Sequence, residues 1–168
     1  MMRWVTREHV HVDRVASPWL IKKFVDPTAE FIFVPAEKIG EVVETEKAIP
    51  FDVPNVELGH KSDKCTFDAI IEKYKFKNPA LLEIAKIVRA ADTTDKALAP
   101  ESIGLKAIAA GSMMIVKDDF EAIEKQKFLY DSLYAYCKLR LVKERYKDDL
   151  DKMDRKQRFN FLRKKTKK

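Results

Sequence analysis

The hydrophobic pattern of the chain changes once, near Cys65, and this change limits the possible folds more than any other feature. Before it, residues 3–6 and 29–34 are short segments rich in β-branched and aromatic residues, as in strands. After it, apolar residues recur at steps of three and four, which is the period of an α-helix. We therefore expect an α/β fold, with α+β as the alternative, in which a small sheet packs on a mostly helical carboxyl half.

A βαβ unit is expected at the amino end. Ser17 and Pro18 have the residue types favoured at a helix N-cap and at the first helical position, and they lie between the two predicted strands. Parallel pairing of those strands would place the helix across one face of the sheet. Residues 35–46 are predicted to form a second helix. Residues 49–59 contain two prolines, which favour at best a short edge strand.

Four helices are predicted in the carboxyl half, and the last is the longest. They begin near Phe67, Asn78, Ala99 and Asp118. The apolar stripe of the last helix consists of Phe120, Ile123, Tyr130, Tyr134, Cys137 and Leu141. Such a stripe predicts a helix that packs one face against the core.

The net charge of +6 belongs to the end of the chain. Residues 155–168 hold eight basic residues and no acid, so residues 1–154 carry about −2. The length predicts a single domain over 1–146, followed by a basic arm over 147–168. We expect a solvated arm, with a short amphipathic helix or a nucleic-acid-binding segment as alternatives. The basic residues are Arg155, Lys156, Arg158, Arg163, Lys164, Lys165, Lys167 and Lys168.

Several classes of protein are excluded by motifs that the sequence lacks. The four glycines are too widely spaced for GxGxxG or GxxxxGK[ST], so we expect no nucleotide cofactor. Cys65 and Cys137 form no CxxC pair, which excludes a zinc ribbon or a disulfide-dense scaffold. The amino end is charged where a signal peptide is apolar, and the longest apolar-rich run, 105–116, is too short to span a bilayer. We expect a cytoplasmic protein that does not enter the membrane.

A carboxylate and a histidine indicate a candidate site for a divalent metal. Glu57 and His60 are three residues apart, and Gly59 permits a tight bend before the imidazole. With Asp68 and Asp92 they would offer the mixed oxygen and nitrogen ligands that suit a hard or borderline ion. The spacing is common, and by itself it favours the alternative of a Glu and a His that cap a loop.

An oxyanion site near the first helix is a second hypothesis. A helix beginning at Pro18 would present free backbone N–H groups, and Arg14 would add a planar bidentate donor. The alternative is an Asp13–Arg14 pair that locks a turn, with Trp19 in the core. Arg89, near the end of a predicted helix, would need a carboxylate or an anionic ligand if its face were buried.

Cys65 is a candidate redox residue. A position just before a helix lowers the pKa of a thiol. The alternative is an inert, buried cysteine, which is also the simplest interpretation of Cys137 on the apolar stripe.

Four segments of the sequence carry a resemblance to a known family. They are WVTREHVHVDRVASPWLIKKFVDPTAEFIFVP, IPFDVPNVELGHKSDKCTFD, IVRAAD and YDSLYAYC, in this order between Trp4 and Cys137. Together they resemble the carboxyl-terminal domain of the ChrB-type chromate-resistance proteins. The resemblance implies a sensor or accessory domain of a stress response to chromate.

The resemblance also implies that polar residues of these segments belong to a site. A metal- or oxyanion-binding domain of this kind would hold a divalent ion through Glu57, His60 and Asp92, with Asp68 or Asp131 as additional ligands. Arg14 and Arg89 would stabilise a small anion such as chromate, with Asp13 and Trp19 as further residues of that oxyanion- or substrate-binding site. The polar and aromatic residues singled out in this way are Asp13, Arg14, Pro18, Trp19, Asp52, Glu57, His60, Cys65, Asp68, Arg89, Asp92, Tyr130 and Asp131.

Two departures from the family limit what the resemblance implies. Ser17 stands where a cysteine is common, which argues against a site that depends on a thiol there. Family members often carry an amino-terminal region associated with chromate-responsive transcription. The resemblance begins at Trp4, so we expect no counterpart of that region and no DNA binding through it.

Two alternative functions stay open at this point. One is a metal-dependent hydrolase or oxidoreductase that acts on a small anionic or oxidised substrate, with Asp68 or Asp13 as general base. The other is a regulator that binds nucleic acid through the basic residues of 155–168.

Overall fold

A three-stranded parallel sheet lies at the amino end of the molecule. The computed structural model describes residues 1–93 and 99–167. Strands β1 (Arg3–Arg7), β2 (Glu30–Val34) and β3 (Ile49–Pro50) are arranged in the order β2-β1-β3, and β1 pairs in parallel with both neighbours. The mixed α/β fold predicted from the sequence is confirmed, and β3 is the short edge strand expected there.

Two helices cover opposite faces of this sheet. Helix α1 (Val12–Leu20) connects β1 to β2, and helix α2 (Ile39–Glu46) connects β2 to β3. Successive side chains of a strand point to opposite faces, so Trp4 is buried in the main core with α1, whereas Val5 is buried in a smaller core with Ile39. From β1 the chain adds β2 on one side and then β3 on the other, so the strand order changes direction between β1 and β3. In open α/β sheets, ligands bind at such a switch point, outside the carboxyl ends of the strands.

The first helix begins earlier than the Ser17–Pro18 pattern predicts. Helix α1 begins at Val12 and Pro18 lies inside it, although an interior proline removes one backbone hydrogen bond. Ser17 is fully buried, and its hydroxyl donates to Asp13 Oδ1 (3.0 Å) instead of capping a helix. A π-helical turn, Ile21–Val25, continues the chain after α1. The predicted N-cap is wrong because packing of α1 against the core overrides the local preference.

The helices predicted for the carboxyl half are confirmed. Asn78 caps α4 by accepting a hydrogen bond from the Ala80 N–H, and Asp118 caps α6 by accepting one from the Glu121 N–H. No helix in the described part of the chain combines the length and the apolar character needed to cross a membrane. The helices are α3 (Thr66–Lys73), α4 (Pro79–Asp92), α5 (Glu101–Ser112), α6 (Asp119–Arg145), α7 (Lys147–Asp151) and α8 (Arg155–Thr166).

Helix α6 joins the helical half to α1. Tyr130 and Cys137, both on its apolar stripe, are fully buried, and the Tyr130 hydroxyl donates to the carbonyl of Val12 (3.1 Å). Phe120 is the exception on the stripe, since it is 57% exposed and packs its ring against Phe33 (5.1 Å between centroids). The stripe therefore fixes the position of α1, on which the candidate site depends.

The basic end of the chain is helical. Asp154 accepts from the Gln157 N–H while the Gln157 side chain accepts from the Asp154 N–H, a reciprocal capping box at the start of α8. Phe161 packs edge-on against Tyr146 (5.2 Å), so α8 folds back on the end of α6. Residues 155–166 form the short helix that the sequence offers as an alternative, and none of them is buried, so this part of the arm is exposed to solvent as expected. The last residue of the arm lies outside the described residues. The domain boundary stays a prediction.

Candidate functional site

Three aspartates and a histidine converge at the carboxyl edge of the sheet. Asp13 lies in the first turn of α1, Asp52 follows β3, His60 lies in the loop before α3, and Asp92 ends α4. The Nε2 atom of His60 lies 3.1 Å from Asp52 Oδ1, 3.2 Å from Asp92 Oδ2 and 3.5 Å from Asp13 Oδ2. These four residues are called the Asp–His cluster. It lies at the switch point between β1 and β3, where the topology predicts a ligand site.

Asp13 is fixed in place by the amino end of α3. Its side chain is buried and accepts hydrogen bonds from the backbone N–H groups of Thr66 (2.6 Å) and Phe67 (3.0 Å). These N–H groups belong to a first helical turn and have no partner within their own helix. The Ser17 hydroxyl also donates to Asp13. One carboxylate therefore stabilises the start of α3 and faces His60 at the same time.

Asp52 is held by two arginines and by its own backbone. Arg14 Nε lies 3.0 Å from Asp52 Oδ2, and Arg7 Nη2 donates to the Asp52 carbonyl (3.1 Å). The Asp52 N–H donates to the carbonyl of Leu58 (2.9 Å). Asp52 has a φ of 51°, in the left-handed region that aspartate tolerates better than most residues. This fixed loop directs the side chain toward His60.

Gly59 is required by a close approach of two backbone segments. A Cβ atom at this position would lie 2.6 Å from the carbonyl oxygen of Val53, closer than such contacts occur. The sequence predicts a tight bend here. No glycine among the described residues has a positive φ, so Gly59 is not needed for a left-handed backbone conformation. It is needed because the Val53 carbonyl lies too close for a side chain. A side chain at Gly59 would therefore force a shift in one of these two backbone segments, next to His60.

The charges of the cluster act strongly on one another. The Asp13 carboxylate, with those of Asp52 and Asp92, raises the pKa of His60 to about 9, so the imidazole is positively charged at neutral pH. Burial, reinforced by Asp13, raises the pKa of Asp52 to about 6, and the same two causes raise the pKa of Asp92. The imidazolium thus supplies part of the positive charge that these carboxylates need when no cation is bound.

Arg14 is engaged with protein acceptors rather than directed at an open anion site. Its Nη1 donates to the carbonyls of Arg7 (3.2 Å) and Glu8 (3.0 Å), and its Nε pairs with Asp52. No helix begins at Pro18, so the backbone N–H groups predicted beside Arg14 are used within α1. The prediction that a helix begins at Pro18 and binds an oxyanion with its N-terminus is therefore wrong.

Cys65, Asp68 and Arg89 form a second hydrogen-bonded group at the start of α3. Asp68 accepts from the Cys65 N–H (3.1 Å) and from Arg89 Nη1 (3.4 Å), which gives Arg89 the carboxylate partner that its burial requires. Burial raises the pKa of Asp68. Burial, together with the Asp13 and Asp68 charges, raises the pKa of the Cys65 thiol far above its usual range. The predicted lowering of that pKa is wrong, because burial and the neighbouring carboxylates disfavour the thiolate.

Glu57 and Asp131, both predicted as ligands, lie apart from the cluster. Glu57 is exposed and accepts from Lys73 Nζ (2.6 Å). Asp131 accepts from Trp19 Nε1 (3.0 Å) and pairs with Lys23. Trp19 is buried in the main core, as the alternative interpretation from the sequence has it.

Two members of the cluster come from outside the predicted set of metal ligands. The structure brings His60 and Asp92 together, but it adds Asp13, which the sequence assigns to an anion site, and Asp52, which the resemblance places in a site without a specific role. One signal points to both aspartates. Asp13 and Asp52 each follow a strand of a parallel sheet, and the carboxyl ends of parallel strands meet at one edge.

The strand order and the cluster define a class of protein, a small doubly wound α/β domain with a carboxylate–histidine site at its switch point. The family model for the C-terminal domain of ChrB matches residues 4–137. The chain belongs to this family, which is related to chromate resistance. All four residues of the Asp–His cluster lie within the matched range.

Protein ChrB of Cupriavidus metallidurans is a relative of this chain. The two are 27% identical over 135 residues, which is 80% of this chain. The match spans 40% of the length of that relative. No solved structure matches the chain at a significant level.

Proposed function

We propose that the Asp–His cluster binds a divalent metal ion, as part of a metal- or oxyanion-binding domain tied to chromate resistance. The observation that carries this proposal is the set of distances from His60 Nε2 to three carboxylate oxygens, 3.1, 3.2 and 3.5 Å. For metal–ligand bonds of about 2.1 Å, neighbouring ligand atoms lie roughly 3.0 to 3.4 Å apart. The Asp52 and Asp92 oxygens therefore lie at the distance from His60 Nε2 that neighbours in one coordination shell have, and the Asp13 oxygen lies slightly farther away.

The burial of the carboxylates supports the same proposal. Asp13, His60 and Asp92 each offer a ligand atom within 4.8 Å of the others, and Asp13 is almost fully buried. Burying several carboxylates together costs free energy unless positive charge compensates them. A set of one nitrogen and several oxygens suits divalent first-row ions such as Zn²⁺ or Mn²⁺. A bound cation would replace the proton of His60 as the compensating charge.

A small oxyanion would reach this site through the metal. The aspartates would repel a free dianion, and the Arg14 donors are already engaged. His60 is 45% exposed and opens into a cavity of about 390 Å³ that Arg7 and Asn55 also line. An anion such as chromate would thus have room beside the metal, with Arg7 close by.

Metal binding by the untagged protein tests the proposal. The chelator-treated protein is titrated with Zn²⁺ and Mn²⁺ in a calorimeter, and circular dichroism checks that each variant is folded. We expect His60→Ala and Asp92→Asn to weaken binding by about 100-fold, because the first removes a ligand and the second removes the negative charge of one. The matched control is Glu57→Gln, which changes the carboxylate of the ExxH spacing but lies outside the cluster, and it is expected to bind like the wild type. The proposal fails if the wild type binds neither ion, or if Glu57→Gln weakens binding as much as His60→Ala.

A second titration separates direct from metal-mediated anion binding. Chromate is added to the metal-free protein and to the metal-loaded protein under the same conditions. We expect binding to the metal-loaded form alone. Equal binding to the metal-free form would contradict the metal-mediated arrangement.

A further inference from the structure

A groove between α6 and α8 combines apolar and basic lining residues. It has a volume of about 910 Å³ and runs along the second half of α6. Its apolar lining includes Tyr136 and Leu139 from α6 and Phe159 and Leu162 from α8. We call this surface the α6–α8 groove. Many of its lining residues follow residue 137, where the family match ends, and none belongs to the Asp–His cluster.

Two aromatic residues of the groove are open to solvent, whereas Leu139 and Leu162 are half-buried. Phe159 is 63% exposed and Tyr136 is 40% exposed. Phe161, two residues further along α8, packs its ring against Tyr146. Helix α8 therefore uses Phe161 to dock on its neighbour and leaves Phe159 uncovered. Exposed apolar surface with a polar border is typical of an interaction site.

The groove also carries positive charge that no nearby acid neutralises. Lys138, Lys143, Arg163 and Lys167 line it, and within residues 1–93 and 99–167 none of them has a carboxylate within 4.0 Å. Asp131 is the acid among the lining residues, and it is paired with Lys23. A ligand that fits this surface must bring apolar groups and negative charge together.

We propose that the α6–α8 groove binds an acidic amphipathic helix of a partner protein. A groove between two helices accepts a third helix, whose apolar stripe would cover Leu139, Phe159 and Leu162. Glu or Asp residues beside that stripe would pair with the unneutralised cations. Single-stranded nucleic acid needs aromatic faces on which successive bases stack. Tyr136 and Phe159 offer such faces, whereas Leu139 and Leu162 fit the apolar stripe of a helix, so this mixed apolar lining favours the helix.

A designed peptide tests this proposal without a known partner. The probe is a fluorescein-labelled amphipathic helix of about 18 residues, roughly 27 Å long, with a leucine stripe flanked by Glu. One control peptide has Lys in place of Glu, and another has the same composition in scrambled order. Fluorescence anisotropy with the full chain is expected to show binding of the acidic helix, at least about 10-fold tighter than either control.

Variants of the protein locate the bound peptide. Lys143→Glu combined with Arg163→Glu is expected to weaken binding by about 10-fold or more, because attraction becomes repulsion. The matched control is Lys156→Glu combined with Lys164→Glu, which makes the same charge change on residues that do not line the groove. Phe159→Ser is expected to weaken binding by about 10-fold without changing the unfolding midpoint, since its side chain is mostly exposed.

Three outcomes would overturn the proposal. The first is no binding of the acidic helix at roughly millimolar concentration. The second is an equal loss of binding in the groove variants and in the Lys156→Glu, Lys164→Glu control. The third is tighter binding of an oligothymidylate, or of phosphatidylserine vesicles, than of the peptide, with the same sensitivity to Lys143→Glu and Arg163→Glu. That last result would assign the groove to nucleic acid or to a membrane surface.

Discussion

The Asp–His cluster and the α6–α8 groove are opposite in charge and in construction. The cluster brings together residues from four separate segments between Asp13 and Asp92, and three of its four side chains are acidic. The groove is formed largely by two helices that follow one another closely along the chain, and its unpaired charges are basic. The net charge of +6 arises from the basic residues 155–168, two of which, Arg163 and Lys167, line the groove, and it gives no indication of the acidic cluster.

The difference in construction has consequences for stability. Contacts of the cluster connect distant segments, such as Asp13 with Thr66 and Phe67, so their loss weakens the tertiary structure itself. Side chains that line the groove are partly exposed, and exposed charges contribute little to stability. Substitutions in the cluster should therefore lower the free energy of unfolding, whereas substitutions in the groove should affect binding alone.

Asp13→Ala is expected to have the largest effect, a loss of about 3 kcal/mol in the free energy of unfolding. The substitution leaves two buried N–H groups of α3 without an acceptor and removes a charge partner of His60. Urea unfolding followed by circular dichroism measures the change. Asp13→Asn retains an oxygen acceptor and should lose about half as much. A loss below about 1 kcal/mol in Asp13→Ala would mean that this carboxylate does not hold α3 in place.

Gly59→Ala is expected to cost about 1 to 3 kcal/mol and to weaken Zn²⁺ binding. The new Cβ would meet the Val53 carbonyl, so the loop must shift and carry His60 with it. Gly40→Ala is the matched control, because nothing lies within 4 Å of a Cβ there and Gly40 is inside α2. That control is expected to stabilise the protein by about 0.5 to 1 kcal/mol. Equal stability of the Gly59 and Gly40 variants would show that the backbone approach is not restrictive.

Local patterns in the sequence predict much of the fold. The β-rich segments and the helical period give the βαβ start and the helices, and side-chain caps such as Asn78 and Asp118 mark where helices begin. The start of α1 is different. Pro18 and Ser17 match the signature of a helix start, but packing against Tyr130 and the sheet extends the helix back to Val12.

The candidate site depends on contacts that local patterns do not contain. Glu57 has the right spacing from His60 along the chain, yet its side chain turns to Lys73 at the surface. Asp52 lies near His60 because β3 pairs with β1. An edge strand of two residues is too short for the sequence to show which strand it pairs with. The sequence thus indicates that carboxylates and a histidine form the site, but it does not identify which carboxylates these are.

Asp131→Ala is expected to lower the free energy of unfolding by about 1 kcal/mol, a smaller effect than that of Asp13→Ala. It removes the acceptor of the Trp19 indole N–H, but Asp131 is 38% exposed, so water compensates part of the loss. Thermal unfolding followed by tryptophan fluorescence measures it. Asp131→Asn keeps an acceptor and serves as the control, with an unfolding midpoint close to that of the wild type. An equal loss in both variants would assign the effect to the Lys23 ion pair instead of the indole hydrogen bond.

Removal of residues 154–168 should have the smallest effect on the cluster, because α8 contributes none of its ligands or their hydrogen-bond partners. We expect Zn²⁺ affinity to stay within about twofold of the full chain, as is usual for distant and independent sites. The same deletion removes Phe159, Leu162 and Arg163 and should abolish binding of the acidic helix. Calorimetry and anisotropy on one preparation measure both, with circular dichroism to establish folding. A loss of Zn²⁺ affinity of roughly tenfold or more would mean that α8 supports the cluster through α6. The cluster and the groove would then be energetically coupled.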